Sequence, residues 1–203
     1  MAFRDLLEGV GRDTTPVSVN LEMCDRTSAA EGIGVVYNDV IEAPGHRAAL
    51  DVLVRDRLCE VFSVSPGELI DVLAWGMANP EHPVLVDASE AEVLQCRQES
   101  VDLYGIPIPR HYQEDVGRYQ SASIIIAEYG GIRNMSYHRQ LLRDETHCVA
   151  RFVPRHLRTM YETARDNGDE VPIAVINGAD ATVLLAAAMS FNENLDELTV
   201  AAA

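Results

Sequence analysis

The stretch GGIRNMSYHR, Gly130 to Arg139, lies between an apolar run, IIIA (Ile124 to Ala127), and a second strand-like run, HCVARFV (His147 to Val153). Its reading decides the second half of the chain. It offers an amide, a phenol, an imidazole and two guanidiniums in close succession. In a strand, Asn134, Ser136 and His138 point one way, and Met135, Tyr137 and Arg139 the other. Both faces then mix polar with apolar groups. Pattern alone favours an exposed edge strand about two to one, with a strand that carries a site as the alternative.

Working outward, RYQSASIIIAEY, NMSYHRQLL and HCVARFV are three successive strand candidates with short connections. RHLRTMYETARDNG predicts a helix that ends at Gly168, and VPIAVIN a strand of the buried type. ATVLLAAAMSF predicts a helix after Gly178, and NENLDELTVAAA begins another. The second half is therefore expected to be a mixed sheet or partial barrel with helices.

The first half has an α/β pattern. FRDLLEGVG predicts a short helix, with Phe3, Leu6, Leu7 and Val10 on one face. TPVSVNLEM and GIGVVYNDVIEA predict strands. Helical spacing runs from Arg47 to Val61. SPGELIDVLAWGMAN predicts a helix with Ser65, Pro66 and Glu68 in its first turn, and VLVDASEAEVLQ a strand, turn and strand. The Pro-rich, charged IPIPRHYQEDVG marks the internal boundary and suggests domains at 1–110 and 111–203.

The chain has 203 residues, 32 acids and 16 bases, for a net charge of −16. All the bases are arginines. So acidic a chain argues against nucleic-acid binding, which requires basic groups against phosphates. Adaptation to high salt accounts better for an acid-rich, lysine-free surface, and a GC-rich genome also favours Arg over Lys. No run reaches the roughly 18 apolar residues of a membrane span, and the N-terminus lacks the pattern of a signal peptide. A cytoplasmic location is expected. Cys24, Cys59, Cys96 and Cys148 form no CxxC pair, so the default is four buried free thiols.

Several other features carry chemistry weakly. PRHL places Arg155 and His156 at a helix N-terminus, where anions are favoured. INGADATVLL is a Gly turn into a helix capped by Asp180 or Thr182, and is read as a plain connection. Glu193, Asp196 and Glu197 open the last helix as dipole compensation. HYQED (His111 to Asp115) reads as a charged linker rather than a metal cluster. No serine elbow, HExxH, Walker motif or GxGxxG is present.

The order of segments nevertheless resembles the UbiD family of decarboxylases. The resemblance rests on FRDLLE, GELIDVLAWGMANPEHPVLV with DASEAEVLQ, GIPIPRHYQEDVGRYQSASIIIA, GIRNMSYHR, RFVPRHL, IAVINGADATVLLAAA and DELTVAAA, all in family order. It implies an N-terminal α/β domain followed by an incomplete split-β-barrel flavin-binding domain with helices. It implies non-oxidative decarboxylation of an α,β-unsaturated or aromatic carboxylic acid, using prenylated FMN and a divalent ion, usually Mn2+, with K+ nearby. Anhydromevalonate phosphate in isoprenoid synthesis, or a quinone precursor, is the substrate class it suggests.

Carried over residue by residue, the resemblance implies metal binding by Asn134, His156 and Glu197. It implies a catalytic role for Arg139, at the position of the family's active-site arginine, and cofactor contacts by Tyr137, His138, Arg139, Arg155 and His156. Arg139 would hold a substrate carboxylate in its planar fork. The family's IGADP reads NGADA here, Asn177 to Ala181. An EGPFGE-like segment, which supplies the family's catalytic acids, does not occur in these residues. The expected partners are therefore a flavin prenyltransferase as cofactor supplier and either identical copies or a complementary C-terminal half. The alternative is a half without independent catalysis that binds such a chain. The site reading makes one structural demand: Asn134, His156 and Glu197 should converge, with Arg139 brought near by a bulge or twist.

Overall fold

The structure, a computed structural model, describes residues 3–190 and 195–203. Its organising unit is the hairpin of β5 (Ile124–Tyr129) and β6 (Ile132–Tyr137). The strands pair from Ile124↔Tyr137 to Tyr129↔Ile132. Only Gly130 and Gly131 join them, at φ 64° and 78°. A two-residue connection with both φ values positive suits the right-handed twist of the strands, and glycine enters that region without a Cβ penalty.

β9 (Ile173–Ile176) pairs antiparallel with the other edge of β5, giving the order β6-β5-β9. The central strand is buried on both faces, which explains its unbroken apolar run. Ile124 and Met135 pack with α6 (Ala181–Ala188) and α7 (Glu197–Ala202), through Leu184, Ala187 and Val200. Ile125 and Ala127 pack on the opposite side against Leu157 and Met160 of α5 (His156–Asn167). Each such fully buried large side chain is worth roughly 1.5–3 kcal/mol of transfer free energy.

A second antiparallel sheet, β4-β7-β8, comprises Tyr119–Gln120, Gln140–Leu142 and Cys148–Ala150. The chain passes from β6 to β7 through His138 and Arg139 alone, so these two residues make the crossing between sheets. All pairs in this half are antiparallel, not mixed.

The N-terminal half carries β1 (Gly11–Asp13), β2 (Val35–Tyr37) and β3 (Ala48–Leu50), with α1 (Glu22–Ala29) and α2 (Arg55–Phe62). Leu6, Leu58, Cys59 and Leu69 join the same core as Ile124, Met135 and Leu184. The Pro-rich segment is held rather than loose. Arg110 exchanges backbone bonds with Val19 and Leu21. The Arg118 guanidinium donates to the carbonyls of Tyr104, Ile106 and Ile108.

Several expectations are corrected. TPVSVNLEM is not a strand: it contributes isolated bridges at Val17 and Asn20 and then enters α1. The Arg47–Val61 pattern breaks into β3 and α2 because Asp51, at φ 54°, interrupts it. The Ser65–Glu68 turn precedes α3 (Leu69–Ala78), with both the Ser65 N–H and hydroxyl donating to Glu68. VLVDASEAEVLQ forms no strand, only an exposed extended run and α4 (Glu92–Gln95). β9 is exposed rather than buried because it is the end strand of its sheet. Cys96 is exposed, and all four cysteines are free. Among the described residues, no helix is long and apolar enough to cross a membrane. Glu193 lies outside the described residues.

The hairpin turn gives the first prediction. Gly131→Ala forces a Cβ into left-handed backbone and lowers stability by about 1 kcal/mol. Gly67→Ala, in open space without positive φ, stays within about 0.5 kcal/mol of the parent. Paired urea titrations measure both.

Candidate functional site

On the α5 side of the hairpin, β6 presents a row of polar groups where a core strand would present apolar ones. Asn134 and His138 are buried, at 5% and 7% exposure. Ser136 lies between them. Its Oγ donates to Asn134 Oδ1 at 3.0 Å and lies 2.9 Å from His138 Nε2. The exposed-edge reading of NMSYHR is thereby corrected. β6 is terminal in its sheet, yet both of its faces are covered.

What covers the edge is Glu197, the first residue of α7. One carboxylate oxygen accepts from Asn134 Nδ2 and the other from the Met135 backbone N–H, each at 2.9 Å. A carboxylate only accepts, so the Asn134 amide is fixed with its nitrogen toward Glu197 and its oxygen toward Ser136. The neighbouring acid completes the anchor: Asp196 caps α7 through Leu198 N–H and receives the Arg133 guanidinium. Burial pushes the Glu197 carboxyl above its usual range, while the Met135 N–H and the field of His156 act the other way. Burial likewise holds the His138 imidazole below its usual range, opposed by a bond to the Arg151 backbone.

His156 opens α5 on the same side of the sheet. Arg155, its N-cap, donates to Ser190 Oγ at 2.7 Å. No acid occupies the first turn of this 12-residue helix, so no residue of its own compensates the positive end of its dipole. Asn134 and Glu197 are thus in direct contact, and His156 is near enough for its field to reach the Glu197 carboxyl.

Tyr137 and Arg139 point elsewhere. Tyr137 lies on the α6 face, its hydroxyl donating to Leu184 O at 3.1 Å. Arg139 stands in the crossing between sheets, stacked 3.7 Å above the Tyr119 ring and paired with Asp115. Its guanidinium is engaged there rather than by the Asn134 row. Among the described residues no three of His, Cys, Asp and Glu gather as a metal cluster, so any ion here would need the Asn134 amide oxygen in addition to Glu197 and His156.

Beside the row lies a cleft of about 730 Å³, bounded by Ile125, Phe152, Tyr161 and Val175 with the amides of Gln120, Gln140 and Asn177. Phe152 joins cleft to row, its ring edge-on to His138 at 5.2 Å. Asn177, in the NGADA turn, donates to Gln120. Gly178 there has φ 79°, and Asp180 caps α6. Apolar walls with a few amides suit a flat heteroaromatic ring that needs oriented hydrogen bonds. Sequence reasoning missed Ser136, Gln120, Gln140 and Phe152. For Ser136 the signal was available, since it shares strand parity with Asn134.

Residues 84–203 match the family profile described as UbiD, the 3-octaprenyl-4-hydroxybenzoate carboxy-lyase Rift-related domain. The anhydromevalonate phosphate decarboxylase of Methanosarcina mazei is 34% identical over 174 residues, covering 84% of this chain and 39% of that protein. Its namesake from Aeropyrum pernix is 42% identical over 98 residues, covering 48% of this chain and 22% of that protein. A solved structure of an evolved dimeric form of the UbiD-class enzyme HmfF from Pelotomaculum thermopropionicum, in complex with prFMN, superposes with a TM-score of 0.92. Its identity is 28%, and the match covers 98% of this chain and 49% of that one. The chain spans less than half the length of these curated relatives and about half the length of the solved enzyme.

The anchoring bond is testable. Asn134→Ala leaves one carboxylate oxygen of Glu197 without its donor, at a cost of about 1–3 kcal/mol. Because the folded carboxyl titrates above its unfolded value, its contribution is fully present below the unfolded pKa. It is lost as pH rises through the folded pKa. The Asn134 N–H limits that loss by favouring the ionised form, so the deficit of Asn134→Ala relative to the parent is larger at pH 7 than at pH 4, as read from urea midpoints.

Proposed function

Since the chain belongs to the UbiD family of carboxy-lyases, we propose that it forms the cofactor- and metal-holding part of a decarboxylase. The observation that carries this reading is the buried Glu197–Asn134 pair, made across 63 positions of sequence, with His156 at the N-terminus of α5 beside it. A carboxylate buried against neutral N–H donors calls for a cation. Asn134 Oδ1 has a lone pair beyond the one Ser136 uses. An amide oxygen, a carboxylate and an imidazole suit Mn2+, and hard-oxygen preference leaves further positions for phosphate. The residues present therefore fit the ion, with K+ as a companion.

In this reading Asn134, His156 and Glu197 hold Mn2+, and the open end of α5 with Arg155 receives a phosphate. Prenylated FMN, the cofactor held in the solved HmfF complex, supplies the electron sink for loss of CO2 when bound. His138 and Phe152 border the ring site, and Tyr137 supports it from behind through α6. Arg139 holds the substrate carboxylate once Asp115 yields it. The protein's own work is to orient the acid and exclude water, and the proton donor comes from a complementary segment. Homologues named anhydromevalonate phosphate decarboxylase support that phosphorylated unsaturated acid as substrate, and with it a cytoplasmic role in isoprenoid synthesis. A flavin prenyltransferase supplies the cofactor.

Co-expression with a flavin prenyltransferase and Mn2+ tests the proposal. The purified protein should carry a flavin-like absorption band and retain manganese. Asn134→Ala and Glu197→Ala should each lower cofactor occupancy at least tenfold. Arg139→Lys should keep the cofactor and lose turnover in the completed enzyme. A preparation that retains neither flavin nor manganese under any loading condition would end this reading.

A further inference from the structure

Residues 84–101 leave the body of the fold. Val84 is 88% exposed, Leu85 89%, Val86 59% and Val93 78%. The arm is fastened just before it, where the Glu81 N–H donates to Thr199 O of α7, and just after it, where the Leu103 N–H donates to Glu145 O. Between these points it forms only the single turn of α4. A Val-Leu-Val run in water is costly, since each such side chain forgoes roughly 1.5–3 kcal/mol of burial. A contiguous exposed apolar run marks an interaction surface.

Two findings say what covers it. The family match begins at residue 84, so the arm is the opening of that domain and not a linker before it. The solved relative follows 98% of this chain, yet the chain accounts for only 49% of the relative. The relative therefore has about as much polypeptide again beyond the part matched here, enough to cover the arm. Charge narrows the fit. The arm carries Asp87, Glu90, Glu92 and Glu99 against Arg97 alone, so a complementary surface would be apolar and rimmed by bases.

We propose that residues 84–101 are the docking arm for the polypeptide that corresponds to the second half of the matched decarboxylases, with Val84, Leu85, Val86 and Val93 as its apolar contacts. This rests on the family membership, but not on cofactor or metal binding. Its counterpart presents apolar groups flanked by basic ones.

The test mixes this chain with the polypeptide from the same source that matches the part of the Methanosarcina mazei relative beyond these residues, without flavin or metal. Sedimentation should show a 1:1 complex. Amide hydrogen exchange at residues 84–86 and 93–94 should slow at least tenfold on mixing. Leu85→Asp should weaken association at least tenfold while leaving the urea midpoint of this chain unchanged, because the side chain is exposed. The proposal is overturned by no association, by a complex in which the arm exchanges as before, or by undiminished binding of Leu85→Asp. It is overturned equally if the chain alone forms a concentration-dependent dimer with the arm protected, which would make the occupant a second copy. Since no cofactor is present, failure here leaves the metal-site reading standing, and the reverse holds too.

Discussion

The carboxylate of Glu197 is where the second half of the molecule is fastened. One oxygen takes the Asn134 amide and the other takes the Met135 N–H. Sheet edges expose such N–H groups and are ordinarily protected by charge, bulge or cover. Here a side chain from 62 positions away supplies the cover. The same contact sets the depth of α7, so that Val200 reaches the core shared by Leu184 and Met135. It also fixes the direction of the Asn134 amide, and hence which atom faces Ser136. Packing, edge protection and site geometry thus share one bond.

That bond could not be read from local pattern. Alternation placed Asn134, Ser136 and His138 on one face, and the hydrogen bonds through Ser136 agree. Pattern could not say that this face is buried, because burial depends on α5 folding over it from residues 156–167. Likewise Glu197 at the start of a helix looks like dipole compensation until its partner on β6 is known. The ordered likeness to a decarboxylase family singled out both residues, and it did so by position rather than by physics.

The misses share a cause. LEM enters α1 although its apolar spacing alternates, because the helix is fixed by tertiary contacts of Met23 with Val17, Val19 and Tyr37. β9 has the composition of a buried strand but ends its sheet. VLV has strand composition and no strand partner among the described residues. In each case side-chain propensity is right about chemistry and silent about neighbours. Arg139 shows the converse. Its odd parity set it apart from the polar row and a bulge or twist was expected to bring it back, but the crossing at His138–Arg139 delivers it to Tyr119 and Asp115 instead.

β9 has a colloidal consequence. Ile173 is half-exposed, Val175 is 39% exposed, and the strand IAVI contains neither a charge nor a proline to discourage pairing with another copy. Such an edge is a nucleus for aggregation. Opposing such pairing is a long-range repulsion from the 16 net negative charges of the chain. Their reach is about 10 Å in 0.1 M salt and about 3 Å in 1 M salt. Salt that relieves the self-repulsion of the acidic surface therefore also uncovers the sticky edge, and solubility is a balance between the two.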